Sequence, residues 1–155
     1  MSTYFFDSSA IVKRYVSERG TGWVLGVTDP RAGNRILVAR ITGVEVVAAL
    51  TRAGRNRGAT AAAATATAVR QFRHDFVAEY RIVEVTPSVL GRAMTLAQAH
   101  GLRGYDAVQL AAALEIQALR PPTVMSSLTF VSADAELNTA AVTEGLPVNN
   151  PNAHP

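Results

Sequence analysis

The chain contains no cysteine, which excludes a disulfide framework, a thiolate metal site and a cysteine nucleophile. Apolar residues are plentiful, at 48%, yet no apolar run approaches the roughly 20 residues that a membrane span requires. The N-terminus lacks the basic start, apolar stretch and small-residue cleavage site of a signal peptide. These absences lead us to expect a soluble, cytoplasmic protein with no membrane partner. Lysine is nearly missing as well, with Lys13 alone against 14 arginines. The three histidines, His74, His100 and His154, lie in unrelated stretches, so a site built on paired imidazoles is not indicated.

What remains is enough for one domain with a real core: 155 residues are too few for two comfortable ones. We place that domain at residues 1–148 and expect 149–155 to be a loose C-terminal tail. The sequence pI is near 9.8. If four of the 12 acids are gathered in one place, eight acids face 15 basic residues over the rest of the surface. Such a field suits a polyanion, and arginine suits bidentate phosphate contact. The same usage also fits an ordinary solvated surface.

Short apolar runs alternate with helical patterns. Thr3 to Phe6 reads as a strand, followed by a helix from Ser8 to Val16 with Ile11, Val12, Tyr15 and Val16 on one face. Ile36 to Ala39 is a second strand, and Thr42 onward is a helix that stops before Gly54 and Gly58. An Ala-rich helix runs from Thr60 to Tyr80. A strand at Ile82 to Val85 precedes a helix from Pro87 to His100, with Gly101 and Gly104 marking a break. The helix from Tyr105 to Leu119 is apolar nearly all round and should be buried on more than one side; Pro121 and Pro122 end it. Leu128 to Val131, Asp134 to Glu144 and Leu146 to Val148 then read as strand, helix and strand. This order predicts an α/β sandwich with a mostly parallel sheet.

Ligand sites in such sheets lie beyond the carboxyl ends of the strands. Asp7 directly follows the first strand, Glu45 lies in the first helical turn after the second, and Asp134 directly follows the fourth. Asp106 opens the buried helix without a strand before it, so local pattern does not bring it to the same edge. Each acid also has a plain structural reading. Asp7 and Asp134 fit helix caps, Thr42 with Glu45 fits a capping box, and Asp106 complements a helix dipole. Carboxylates about 5 Å apart repel by roughly 3 kcal/mol per pair at an effective dielectric near 20, so a cluster of them calls for protons or a cation. Oxygen donors without Cys or a well-placed His point to Mg²⁺ or Mn²⁺. The hydroxyls of Ser8 and Ser132 are placed either to orient water at such an ion or to serve as turn residues.

The run Tyr4-Phe5-Phe6-Asp7-Ser8-Ser9-Ala10-Ile11-Val12-Lys13 resembles the opening of PIN-domain proteins. Three further blocks agree in order and interval: Thr42-Gly43-Val44-Glu45, Tyr105 to Ala113 beginning Tyr-Asp-Ala, and Phe130-Val131-Ser132-Ala133-Asp134. Size and opening look most like VapC-type toxins of toxin–antitoxin pairs. The resemblance spans residue 3 to about residue 148 and is weakest in the Ala-rich middle. It implies a three-layer α/β/α sandwich with a five-stranded, mostly parallel sheet, and an endoribonuclease whose catalytic acids are Asp7, Glu45, Asp106 and Asp134. The metal, Mg²⁺ or Mn²⁺, would be held chiefly by Asp7 and Asp106, with Glu45 and Asp134 joining directly or through water. The implied partners are an RNA substrate, a VapB-type antitoxin and a second copy of the chain.

Arg52, Arg55, Arg57, Arg70 and Arg73 crowd a helical hairpin and are candidate contacts to RNA or antitoxin; arginine near a helix end also simply complements the dipole. Two rivals remain. A phosphotransfer or receiver-type domain is disfavoured because the second Asp of such phosphatases is replaced by Ser9, and the late lysine of receivers is absent. A non-catalytic protein-binding module of the same fold is weighed down by intact acids at all four positions.

Overall fold

The computed structural model describes residues 1–55, 57–120 and 128–154. Five strands form one sheet in the order β3-β2-β1-β4-β5, and every pairing is parallel. The strands are β1 (Thr3–Phe6), β2 (Arg35–Ala39), β3 (Arg81–Val83), β4 (Leu128–Val131) and β5 (Val148–Asn149). The helices are α1 (Ser8–Ile11), α2 (Thr21–Thr28), α3 (Thr42–Gly54), α4 (Gly58–Ala78), α5 (Pro87–His100), α6 (Gly104–Leu119) and α7 (Ala135–Thr143).

Side chains alternate across the sheet and build a core on each face. Phe5, Leu37, Leu128 and Phe130 pack against α5, α6 and α7, with the Phe5 and Phe130 rings stacked 5.8 Å apart. Phe6, Ile36, Val38 and Val131 face α1 to α4. The architecture is thus the three-layer α/β/α sandwich, with a wholly parallel sheet. Helix α6 is buried on several sides, from Ala107 through Leu114. The expected stop at Pro121 and Pro122 lies outside the described residues.

Several boundaries differ from the sequence pattern. The first helix ends at Ile11 and tightens into a 3-10 turn over Val12–Arg14. Arg14 and Tyr15 are drawn there toward α4: the Tyr15 hydroxyl donates to the fully buried Asp75 at 2.9 Å, and Arg14 Nη1 donates to Glu79 Oε2 at 2.7 Å. Neighbouring Lys13 is buried and lies 3.2 Å from Glu18 Oε1. Helix α2 was not expected, since Gly22 and Gly26 sit inside it and each lowers helix propensity by about 1 kcal/mol. Burial of Val24 and partial burial of Trp23 hold it against β1 and β2. The third strand begins one residue early, at Arg81, and stops at Val83. The last strand begins at Val148 rather than Leu146. Leu146 instead closes α7, donating its N–H to Ala141 O at 3.0 Å after Gly145 turns left-handed, and its side chain enters the core. Pro147 has no N–H to offer a ladder.

The C-terminal tail is docked, not loose. Asn150 caps a 3-10 turn over Pro151–Ala153, Pro151 is buried, and the His154 ring stacks on Trp23 at 4.7 Å. The docking needs Gly20, whose φ is +87° and whose missing Cβ would fall on the Pro151 carbonyl. Gly20→Ala is therefore expected to lower stability by about 1–3 kcal/mol. Denaturant unfolding followed by the fluorescence of Trp23, the only tryptophan, measures this. An unchanged midpoint and unchanged native emission would show that the tail does not depend on that approach.

Candidate active site

Strand order reverses at β1: the chain moves outward through β2 to β3, then returns to place β4 on β1's other side. Crevices in open α/β sheets form at such a reversal, beyond the strands' carboxyl ends. Asp7 is the first residue there, its N–H continuing the ladder to Val131 O at 3.0 Å.

Asp7 fulfils its structural reading and is still available as a ligand. Its Oδ1 accepts from Ala10 N at 3.1 Å, capping α1, and from Ser9 Oγ at 2.7 Å. Oδ2 takes no hydrogen bond among the described residues. The residue as a whole is only 2% exposed. Burial pushes its pKa up from 3.8 to about 7, against the lowering effect of the Ser9 and Ala10 hydrogen bonds, with the Asp106 and Glu45 carboxylates adding to the rise.

Ser9 was passed over in the sequence and proves central. Besides donating to Asp7, it accepts from Ala133 N at 2.9 Å, tying the exit of β4 to the exit of β1. Ser132 is fully buried; its hydroxyl accepts from Asp134 N at 3.0 Å and lies 3.4 Å from Ser9 Oγ. Asp134 caps α7 through Leu137 N, 2.9 Å from its Oδ1.

Glu45 does not join a capping box. Thr42 is the first helical residue, and the cap position, Ile41, makes no side-chain cap bond. Glu45 is held from two other sides: Ser8 Oγ donates to Oε2 at 2.6 Å and Gln109 Nε2 to Oε1 at 3.0 Å. Gln109 is fully buried and also donates to Thr42 Oγ1 at 2.8 Å. The available signal for Gln109 was a polar residue three positions after Asp106 on an otherwise apolar helix, hence on the same face.

Asp106, the acid that spacing left unplaced, comes to the same edge because α5 and α6 fold back on one another. Ser88 Oγ donates to Glu115 Oε1 at 3.0 Å at one end of the pair, and Gly101, at φ +66°, turns the chain at the other. The first turn of α6 thereby reaches β1 and α3, where Tyr105 shares a cleft with Ser8 and Glu45. The Asp106 pKa is raised by burial first, then by Asp134 and Glu45; Arg103 opposes and Glu136 adds to the rise. Asp7 thus lies within electrostatic reach of Asp106 and Glu45, and Asp106 within reach of Asp134 and Glu45. The ion pairs among the described residues all lie elsewhere. Among those residues, no three Asp, Glu or His side chains stand close enough to close on one ion unaided.

The five hairpin arginines are all exposed but diverge. Arg52 lines the cleft beside Glu45. Arg73 borders an apolar groove between α3 and α4 with Arg40, Val44, Phe76 and Val77. Arg57 lies in a recess with Tyr15, and Arg55 and Arg70 share another. The histidines are dispersed, paired with Asp75, Glu144 and Asn149 respectively.

Against models of known families the chain matches none. Ribonuclease VapC45 of Mycobacterium tuberculosis (strain CDC 1551 / Oshkosh) is 40% identical over 116 residues, covering 75% of this chain and 78% of that protein. The chain belongs to the VapC ribonuclease family. Among solved structures, PAE2754 from Pyrobaculum aerophilum aligns with a TM-score of 0.64 at 21% identity, over 95% of this chain and 89% of that one. A toxin–antitoxin complex from Klebsiella pneumoniae aligns at 0.62 and 17%, over 96% and 97%. Both share the fold of this VapC-family chain. No helix among the described residues is long and apolar enough to cross a membrane.

The pH response of Asp7 gives a test of the acid edge. With chelator present, its ionisation works against the fold, because the folded pKa lies above the ordinary 3.8. Stability from this group is full below about pH 4 and is lost as pH rises toward 7, on the order of 4 kcal/mol in all. Asp7→Asn should therefore match the natural chain in thermal unfolding at pH 4 and exceed it at pH 8. Equal melting at both values would count against a raised Asp7.

Proposed function

We propose that this protein is a Mg²⁺- or Mn²⁺-dependent endoribonuclease and the toxin of a toxin–antitoxin pair. One observation carries the reading: Asp7 is buried at the strand-order reversal beside Asp106 and Glu45, and no basic side chain among the described residues pairs with it. The name and 40% identity of Ribonuclease VapC45 support RNA as the substrate.

The donor set fits a hard cation. It consists of carboxylates and hydroxyls, without thiolate or imidazole, and Mg²⁺ is ordinarily held by one or two carboxylates with water filling the remaining positions. Asp7 and Asp106 would hold the ion, and Glu45 and Asp134 would complete the site directly or through water. When bound, the cation withdraws charge from a phosphoryl oxygen and lowers the pKa of water. The protein's own contribution is positional. Ser8 and Gln109 fix both oxygens of Glu45 so that it orients the attacking water, and Ser9 holds Asp7 against the β4 exit. Ser8 and Ser132 act through these acids and the loop, by the bonds they make.

Partner surfaces lie to either side. The groove between α3 and α4, with Val44 and Val77 exposed and Arg73 at its margin, suits an antitoxin segment carrying apolar and acidic residues. The solved toxin–antitoxin complex of the same fold supports an antitoxin as partner. A second apolar groove, between α5 and α6, exposes Leu90 and Met94 and suits a second copy of the chain.

The test is cleavage of single-stranded RNA with and without Mg²⁺ or Mn²⁺. Chelation should stop it, and Asp7→Asn or Asp106→Asn should lower the rate by at least about 100-fold, as for groups that stabilise developing charge. Undiminished cleavage by either variant would overturn the assignment.

A further inference from the structure

The cleft beside the acids has a second half that the reaction itself does not use. Ser8, Ser9 and Glu45 form its acidic end; Val12, Val44, Ala48 and Ala49 line its middle; Arg52 and Tyr105 complete the wall. Its volume is about 410 Å³, within the roughly 300–1,000 Å³ of sites that enclose a small ligand. Tyr105 is 61% exposed, and its hydroxyl has no hydrogen bond among the described residues. It belongs to neither core cluster. Arg52 is exposed and, like most of the arginines, has no ion pair among the described residues. It follows Glu45 by seven positions on α3, about two helical turns or 10 Å along the axis.

A flat aromatic face, an apolar lining and an unpaired guanidinium match the three parts of a nucleotide: base, sugar and phosphate. Bases stack on aromatic rings with little regard to sequence, and arginine takes phosphate oxygens in pairs. We infer that this cleft is a subsite for one unpaired nucleotide next to the scissile phosphate, with its base stacked on Tyr105 and its outer phosphate on Arg52. The inference rests on the RNA-cleaving reading above and adds the positioning of the strand. Tyr105 shares this cleft with Glu45, so a base resting on it lies beside that acid. Because stacking holds the strand before and during reaction alike, it acts on binding and leaves the chemical step nearly unchanged.

The experiment measures binding of a fluorescein-labelled, random-sequence RNA dodecamer in chelator, where nothing is cut, and then KM and kcat with Mg²⁺. Tyr105→Ala should weaken binding and raise KM by about 10- to 100-fold, with kcat little changed. Tyr105→Phe keeps the ring and should restore binding. Arg52→Ala should weaken binding and reduce the log–log salt slope by about 0.7, the value for one phosphate contact on a single strand. A strand carrying 5-iodouridine should crosslink to Tyr105 of the natural chain on irradiation, which needs no variant to fold. Tyr105→Ala and Arg52→Ala variants that bind and cut like the natural chain would overturn the subsite while leaving the ribonuclease reading intact. So would a loss confined to kcat, or a loss of protein-partner binding with RNA binding unchanged. A natural chain that neither binds nor cuts RNA removes the reading on which the subsite rests.

Discussion

The structure turns on an ionisable carboxylate kept out of water at the end of its central strand. Asp7 ends the β1 ladder, caps α1 and is only 2% exposed. Such a group needs donors, and it has two, both on one oxygen. Ser9, the side-chain donor, is itself fixed by Ala133 from the far side of the β1–β4 crevice. One hydrogen-bonded hydroxyl therefore couples the acid to both strand exits. The other acids are brought in from separate layers: Glu45 by α3, Asp106 by α6 and Asp134 at the head of α7. Burial first, and then the neighbouring carboxylates, raise the pKa values of Asp7 and Asp106, and the fold accepts that penalty at this edge.

Much of this was legible in the sequence for a specific reason. A strand of four residues followed at once by Asp is a local pattern, as are the helix starts at Thr42 and Asp134, and parallel sheets send all such points to one edge. Asp106 was not legible from pattern because its position depends on how α5 folds back on α6, a tertiary matter; the family resemblance supplied it. Gln109 and Ser9 were missed because a polar residue's partner cannot be read along the chain. Helix α2 was hidden by its glycines, and the docked tail by a contact between residues 20 and 151 that no window spans. Capping was the best reading of Asp7 and Asp134 taken singly. The structure shows those caps made, and for Asp7 the cap occupies one oxygen only.

The apolar surface is distributed with equal economy. The two cores are separated by the sheet, and each leaves an exposed hydrophobic groove on its outer helices, one between α3 and α4 and the other between α5 and α6. Exposed apolar patches on a small domain mark places where something else packs. Tyr105 lines both the α5–α6 groove and the cleft beside the acids, so a partner seated on the former adjoins the latter.

The near-absence of lysine acquires meaning from where Lys13 sits. It is buried against Glu18, so the outward positive field of this protein is carried by guanidinium groups, which stay charged at every physiological pH. Acetylating enzymes and amine-directed reagents, which act on accessible ammonium groups, find no exposed lysine on this surface. The electrostatic character of the molecule is in that sense permanent: a cell can cover it with a partner, but cannot neutralise it by modifying its lysines.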